Sequence, residues 1–451
     1  MKQTLRLLSL AFLAPALALV ALSTAQTIAS RGTSDSYDLV ITNARIVDGS
    51  GNPWFRGDVA IKNGRIVRVG RINSAISNHT IDAGQKILAP GFIDVHTHVE
   101  SIFNLPEAEN FVRMGVTSLV TGNCGSSSTD VAQFLRQTQD RPLAVNLATL
   151  VAHGSVRRKV IGLADRAPNA DELRQMERIT LGLVRDARSR GLMVTVDQYA
   201  YTASSTSLDS RLPGWLRADG AEEGRKRLAD PATRDRVMVE MKGGLKRNGF
   251  KDYSYAVVAS YQSDKSFNGK SIAEITKLVR RKKDVKSQIE QIIAMYEAGG
   301  ASMVYHGMSE DDIQRIMREP FTMIASDSGV RRPDESVPHP RGYGNNARVL
   351  GHYVRELKLI SLEDAIRKMS SLPAQTFGFR DRGMVREGFA ADLVLFDDQI
   401  ISDRATFTTP HQFPDGIHLV VVNGSVVLEQ DQMTTSRPGI ALRGPGYAGT
   451  L

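Results

Sequence analysis

The residues best suited to chemistry follow apolar runs in the middle of the chain. His96 and His98 lie in GFIDVHTHVE, at the end of a strand-like run. Because alternate residues of a strand point the same way, this pair can present two imidazoles to one ion, and imidazole suits zinc and similar divalent metals. Cys124, in VTSLVTGNCG, ends the next such run. Its thiolate could reach the same place.

A carboxylate follows another apolar run further along the chain. Asp327 lies in FTMIASDSG, where it could touch a metal and accept a proton from water. An aspartate after a strand is, on its own, more often a turn or capping residue. Together, the two histidines, the cysteine and the aspartate predict a hydrolytic metal site, in which zinc lowers the pKa of water to near neutrality.

The elements that must position these residues alternate regularly. Residues 89–384 alternate apolar strand-like runs with helical stretches, which predicts βαβ units and a parallel sheet. Since several runs end in reactive residues, a (β/α) barrel is indicated, with its chemistry at the carboxyl ends of the strands. Residues 208–256 are charged and helical, which predicts an inserted subdomain. The basic run 277–286 is interpreted as a solvated helix face rather than an anion site.

Both ends of the chain have a different residue pattern from the middle. Residues 36–88 and 385–446 contain short alternating apolar runs, with Asn-Gly pairs at 63–64 and 423–424. Such pairs are typical of tight β-hairpins. One composite β-domain, built from both termini, is therefore predicted around the barrel.

The first residues form a targeting segment. Lys2 and Arg6 precede an apolar run over 7–22, and the small residues Ser23 and Ala25 follow it. This pattern predicts a signal peptide over 1–25 and a periplasmic or secreted mature protein; an uncleaved membrane anchor is the alternative. No later segment is apolar enough to span a bilayer.

Composition narrows the classes further. The 451 residues are 41% hydrophobic and 24% charged, which is ordinary for a globular protein. A single cysteine excludes a disulfide framework. The net charge of +8 is dispersed, so no nucleic-acid partner is expected.

The motifs in order resemble a known family. GFIDVHTH and IASDSG look like the amidohydrolase superfamily, and GNCG, DQYAYTASSTSL, PHPRGYG and REGFAADLVLFD are similar to the D-aminoacylases (N-acyl-D-amino-acid deacylases). The resemblance implies an α/β fold, with a TIM-like (β/α) barrel and a small β-sandwich-like domain. It also implies zinc and a small-molecule N-acyl amino acid substrate, which is cleaved to a carboxylate and a D-amino acid.

The same resemblance assigns roles to residues. It makes His96 and His98 a second, weaker metal position and Cys124 a ligand of the main zinc. Asp327 becomes the general base and then the acid that protonates the leaving amine. It implies that Tyr201 polarises the scissile carbonyl, and that Ser207 and Arg341 hold the α-carboxylate of the substrate.

The chain also departs from the family. Two family motifs, THMR-like and SHLK-like, each supply a histidine to the main zinc, and neither is present here. The second also carries a substrate-binding lysine. Relative to the family pattern, several strand–helix units, together roughly 80–100 residues, are missing after position 178. His153 and His306 end strand-like runs and are candidate replacements.

Three explanations stay open at this point: a truncated product of a normal enzyme, a degenerate relative, or an active enzyme with an altered metal site. Separately, three functions are considered: deacylation of N-acyl-D-amino acids, binding without catalysis, which the missing histidines favour, and another amidohydrolase reaction on cyclic amides or dipeptides. Oligomeric state and side-chain preference are not readable from the sequence.

Overall fold

The computed structural model describes residues 36–72, 76–124, 127–128, 130–150, 189 and 195–444. The predicted signal peptide and His153 lie outside the described residues. Within these ranges, none of the helices has the length and apolar character that crossing a membrane requires.

One nine-stranded sheet contains strands from both ends of the chain. Its strands are β1 (Ser36–Ile46), β2 (Phe55–Lys62), β3 (Arg65–Gly70), β4 (Ile76–Asp82), β5 (Ile87–Pro90), β14 (Leu393–Phe396), β15 (Ile417–Val422), β16 (Ser425–Glu429) and β17 (Gln432–Met433). The spatial order is β17-β16-β15-β14-β5-β1-β2-β3, and β4 pairs with β1. The antiparallel pairing of β14 with β5 joins the carboxy-terminal strands to the amino-terminal ones.

The two Asn-Gly pairs form hairpin turns that touch each other. Asn63 and Gly64 have φ angles of 51° and 75°, and Asn423 and Gly424 have 46° and 79°. Positive φ at both central residues is the mark of a type I′ turn, which matches the twist of the flanking strands. A Cβ atom on Gly424 would lie 2.6 Å from the Cα atom of Gly64, so this contact requires glycine.

Five short parallel strands form the wall that carries the predicted site. They are β6 (Phe92–Asp94), β7 (Val116–Thr121), β8 (Asn146–Thr149), β9 (Val196–Gln198) and β13 (Thr322–Ile324). β6, β7 and β8 make one sheet, and β13 and β9 make another. A bridge between Thr97 and Ser328 joins the two sheets. The wall is therefore ordered β9-β13-β6-β7-β8, and buried side chains including Val95, Val120 and Met323 fill its inner face.

Helices cover the wall and fill the inserted subdomain. They are α1 (Glu109–Val112), α2 (Val131–Asp140), α3 (Gly214–Arg217), α4 (Ala221–Arg227), α5 (Pro231–Arg247), α6 (Ile272–Arg280), α7 (Val285–Glu297), α8 (Glu310–Arg318), α9 (Arg341–Arg348), α10 (Leu362–Met369) and α11 (Ser371–Phe377). A π-helical segment, Val349–Glu356, continues α9.

The inserted subdomain is larger than the predicted 208–256. Its antiparallel sheet consists of β10 (Ala203–Ser207), β12 (Ser302–His306) and β11 (Ala256–Ser260), in that order. Helices α6 and α7 contribute to the same core, which extends from Leu208 to Tyr305. The strand-like run that ends at His306 lies in the region predicted to form the barrel, but it is β12 of this antiparallel sheet. Short apolar runs look alike in parallel and antiparallel sheets, and only the pairing partner separates the two.

The carboxy-terminal segment lies against the wall rather than in the β-domain. The Gly439 N–H donates to the Leu143 carbonyl at 2.8 Å. Leu147 of β8 donates to the Ile440 carbonyl at 2.9 Å and accepts from the Leu442 N–H at 2.7 Å. The bonds to Leu147 satisfy backbone groups of β8 that face away from β7, so the segment covers an edge that no other described strand pairs with.

Replacement of Leu442 by alanine is expected to lower the free energy of unfolding by about 2–5 kcal/mol. Leu442 is 8% exposed and packs with the inner face of the wall, whereas Ile440 is 47% exposed. Ile440→Ala, the matched control, should have a much smaller effect. Chemical denaturation of both variants measures the difference, and equal effects would contradict a buried role for this segment.

Candidate metal centre

Four predicted ligands meet at the carboxyl ends of β6, β7 and β13. One donor atom each from His96, His98, Cys124 and Asp327 lies within 4.8 Å of the others. The His96 Nε2 atom is 3.1 Å from the Cys124 Sγ atom. The Asp327 Oδ1 atom is 3.0 Å from His98 Nε2 and 3.6 Å from His96 Nε2. We refer to these four residues as the ligand cluster.

The backbone bends to bring two of these side chains inward. Cys124 and Asp327 both have a φ of 51°, in the left-handed region. That region is uncommon for residues other than glycine and costs roughly 1–2 kcal/mol per residue. Such positions concentrate at functional sites, because the surrounding structure must hold them in place.

Asp197, which the sequence reasoning did not select, fixes the orientation of His96. Its Oδ1 atom is 3.0 Å from His96 Nδ1, which leaves Nε2 directed at the cluster. Burial lowers the proton affinity of His96, but the hydrogen bond and charge of Asp197 outweigh burial and raise the pKa of His96 to about 9. A metal that binds at Nε2 must therefore displace a proton.

A second aspartate ties the two halves of the wall together under the site. Asp94 Oδ1 accepts hydrogen bonds from the backbone N–H of His96 at 3.2 Å and of Ser326 at 3.1 Å. Burial raises the pKa of Asp94 to about 6, although these hydrogen bonds act in the opposite direction. The carboxylate thus connects β6 to the segment that follows β13.

Arg341 enters the site from the start of α9. Its Nη2 atom is 2.9 Å from Asp327 Oδ2, its side chain is 6% exposed, and its buried Nη1 atom has no hydrogen-bond partner among the described residues. The Arg341 N–H donates to His339 Nδ1 at 3.1 Å, and His339 Nε2 is 2.8 Å from the Ala203 carbonyl. Burial and the charge of Arg341 hold the pKa of His339 well below its usual value, so a neutral histidine supports the arginine.

Tyr199, rather than the predicted Tyr201, borders the cluster. The Arg341 guanidinium carbon lies 4.4 Å from the centre of the Tyr199 ring. The Tyr199 hydroxyl donates to the Met308 sulfur at 3.3 Å, and a thioether is a weak acceptor. Tyr201 is 4% exposed, and its hydroxyl donates to Asp403 Oδ2 at 3.0 Å. Sequence reasoning could not separate two tyrosines two residues apart after a strand end.

Ser207 and His306 lie in the inserted subdomain. Ser207 ends β10, four residues or about 13 Å along the strand from Ala203. It lines a cavity of about 370 Å³ together with Asp209, Arg225 and Ser302. His306 packs against Phe407 with ring centres 4.7 Å apart, and burial lowers its pKa. The structure therefore does not place His306 among the ligands.

Replacement of Asp197 by alanine is expected to weaken metal binding about 10- to 100-fold, as loss of a carboxylate that orients a ligand histidine typically does. Competition with a chromophoric chelator measures the zinc dissociation constant. Asp235→Ala, at an exposed position on α5, removes the same charge elsewhere and should leave affinity unchanged. An unchanged zinc affinity of the Asp197→Ala variant would show that Asp197 does not support the metal site.

Comparison with known proteins identifies the family profiles and relatives that this chain resembles. The profile of the amidohydrolase family matches residues 265–428, and that of the urease alpha-subunit N-terminal domain matches 21–88. The N-acyl-D-glutamate deacylase of Alcaligenes xylosoxydans xylosoxydans is 30% identical over 485 residues, covering 91% of this chain and 97% of that protein. Because this alignment is longer than the chain of 451 residues, part of the relative has no counterpart here.

Two solved structures from the same group of enzymes superpose on this one. N-acyl-D-glutamate deacylase from Bordetella bronchiseptica, complexed with zinc and a phosphonate mimic of the tetrahedral intermediate, superposes with a TM-score of 0.73 at 25% identity. That match covers 91% of this chain and 100% of the other. A D-aminoacylase with a binuclear metal center gives a TM-score of 0.71 at 25% identity and covers 90% and 99% of the two chains.

The fold and the ligand cluster define a hydrolase of the amidohydrolase class. Within that superfamily, the chain belongs to the D-aminoacylase (N-acyl-D-amino-acid deacylase) family. The family and the α/β fold class, with a TIM-like barrel and a β-domain, were both predicted from the sequence, and both are confirmed.

Proposed function

We propose that the protein hydrolyses the amide bond of N-acyl-D-amino acids, with zinc bound by His96, His98 and Cys124 and with Asp327 beside the position that water would occupy. The observation that carries this proposal is the convergence of four ligand atoms within 4.8 Å. The donor set fits the ion, because catalytic zinc is typically held by three imidazole, thiolate or carboxylate ligands and keeps its fourth position open for water. When bound, zinc supplies Lewis-acid polarisation and lowers the pKa of water.

Side chains of the protein transfer the proton and bind the substrate. Asp327 accepts a proton from the attacking water and donates it to the leaving amine. Arg341 orients Asp327 through Nη2 and offers its unpartnered Nη1 to the α-carboxylate of the substrate. An arginine suits this task because its planar fork binds carboxylates with defined geometry. The Tyr199 hydroxyl, bound to a weak acceptor, is free to turn towards the substrate.

The absent histidine motifs lead us to propose one zinc per chain. The family pattern gives the main zinc two histidines that this chain lacks, whereas the ligand cluster offers one ion three ligands, His96, His98 and Cys124, and leaves the fourth position to water beside Asp327. Elemental analysis should find close to one zinc per chain, and less than about 0.2 would contradict the proposal. A panel of N-acetyl-D- and N-acetyl-L-amino acids, cyclic amides and dipeptides then tests the substrate. Preference for any class other than N-acyl-D-amino acids overturns the assignment.

The absence of the two family histidine motifs favours a second candidate function, which is binding of N-acyl amino acids without turnover. Calorimetry on the zinc-loaded protein separates the two, because a binding protein gives a saturable heat with no released amine. Product release at a rate proportional to protein concentration, and abolished by Asp327→Asn, excludes this candidate.

We also propose that the mature protein is exported after removal of residues 1–25, on the basis of the charged start and the apolar run over 7–22. Amino-terminal sequencing of protein recovered from the periplasm or the medium tests this. An intact Met1 in the recovered protein would contradict cleavage.

Replacement of Tyr199 by phenylalanine is expected to lower kcat/KM about 10- to 100-fold, because the variant loses a hydroxyl beside Asp327 and Arg341. Tyr201→Phe removes a hydroxyl that donates to Asp403, so it should lower the thermal midpoint with a smaller effect on kcat/KM. Steady-state kinetics and thermal denaturation of both variants measure the two effects. A large loss of kcat/KM in Tyr201→Phe together with a small loss in Tyr199→Phe would instead support the catalytic role of Tyr201 that the family resemblance predicted.

A further inference from the structure

The turn between α6 and α7 combines exposed aliphatic and basic side chains. Leu278 and Val279 are 51% and 54% exposed. They follow the buried Ile275 by three and four residues, so they continue the apolar face of α6 beyond the subdomain core. Five exposed cations surround them: Lys277, Arg281, Lys282, Lys283 and Lys286. We refer to these seven residues as the basic corner.

The cations of the basic corner form no ion pair with the part of the protein that the structure describes, although the charge of Lys282 helps to lower the pKa of Asp284. Among the described residues, no carboxylate lies within ion-pair distance of any of the five. The nearest acid in sequence, Asp284, is committed to the start of α7, where its Oδ1 atom accepts the Ser287 N–H at 3.0 Å. The Arg280 side chain, which follows Val279 in the sequence, pairs with Glu290 at 3.4 Å.

Helix electrostatics account for only part of this arrangement. Cations near the carboxyl end of α6 interact favourably with its dipole, but Lys286 lies in the first turn of α7, where a cation is unfavourable. Neither helix dipole explains two half-exposed aliphatic side chains. A solvated face explains the lysines but leaves Leu278 and Val279 in water.

We propose that the basic corner docks the protein onto an anionic lipid surface. Clustered lysine and arginine side chains are attracted to acidic headgroups, and neighbouring aliphatic side chains enter the boundary between headgroups and acyl chains. The corner contains no aromatic or amide side chain for stacking on or reading bases, so its composition favours lipid over nucleic acid. The surface lies in the inserted subdomain and is independent of the ligand cluster and of the proposed reaction.

Vesicle sedimentation tests the proposal, with protein lacking residues 1–25 so that the apolar leader cannot contribute. The wild type should bind vesicles of phosphatidylglycerol mixed with phosphatidylcholine, should not bind phosphatidylcholine alone, and should be released by salt. Lys282→Glu/Lys283→Glu should weaken binding by at least about 25-fold. Arg68→Glu/Arg71→Glu, on the exposed side of the β-domain, makes the same charge change elsewhere and should retain most of the binding.

Insertion is tested separately from electrostatic attraction. The fluorescence of Leu278→Trp should shift to the blue with anionic vesicles and remain unchanged with phosphatidylcholine. Absence of wild-type binding, equal losses in the two double variants, an unshifted tryptophan, or tighter binding to single-stranded DNA than to anionic vesicles would each overturn the proposal. Circular dichroism checks that every variant is folded.

Discussion

Hydrolysis is expected to fall by a factor of about 10²–10⁴ when Asp327 is replaced by asparagine, the range typical for loss of a general base. The Asp327 carboxylate lies 3.0 Å from His98 Nε2 and 2.9 Å from Arg341 Nη2, so it is placed between the His98 imidazole and the Arg341 guanidinium. The asparagine amide cannot accept the proton from water. The initial rate of amine release from an N-acetyl-D-amino acid measures the effect.

Asparagine is the substitution of choice for structural reasons as well. Position 327 has a φ of 51°, and asparagine tolerates the left-handed region better than most residues. Its side-chain oxygen can also still accept from Arg341. We therefore expect unchanged circular dichroism, so that the loss of rate reports chemistry rather than unfolding. Activity within tenfold of the wild type, or activity that survives exhaustive chelation, would mean that a different site is responsible.

The second large effect is expected on metal binding. Replacement of Cys124 by serine should weaken zinc binding by more than about 100-fold, beyond the 10- to 100-fold range that outer-shell changes produce. A thiolate is a charged, soft ligand for zinc, and a neutral hydroxyl replaces it poorly. Zinc content after dialysis against a competing chelator measures the loss. His79→Ala, which removes a histidine of the β-domain, should leave zinc content unchanged.

Because the chain has a single cysteine, the wild type provides an independent measurement. Cys124 is exposed, so a thiol reagent should modify it quickly once the metal is removed and slowly when zinc is bound. Equal rates with and without zinc, or a Cys124→Ser protein that retains one zinc, would exclude Cys124 as a ligand.

Two features of the fold could be predicted because they depend on neighbours in sequence. The Asn-Gly turns at 63–64 and 423–424 have the positive φ angles that this residue pair favours. Strand-end positions identified His96, His98, Cys124 and Asp327, because parallel strands bring their carboxyl ends to one edge. In both cases a local pattern contains the information that decides the geometry.

Other features depend on contacts between distant segments. The run 301–307 is apolar like a barrel strand, but it pairs in antiparallel fashion with β10 and β11. Asp197 is 101 residues from the His96 ring that it orients, and no spacing rule connects them. Tyr199 and Tyr201 occupy equivalent positions by sequence pattern, yet one contacts Arg341 and the other Asp403.

The sequence by itself determined the fold class, the composite β-domain and which four residues form the ligand cluster, because hydrophobic periodicity, turn chemistry and motif order can be recognised in consecutive residues. The tertiary structure alone decided which tyrosine borders the cluster, how Asp197 orients His96, and that the segment 439–442 covers the edge of β8. These outcomes depend on long-range packing, and the same holds for the left-handed backbone at Cys124 and Asp327. Such conformations are held by the whole surrounding fold rather than by the residues that adopt them.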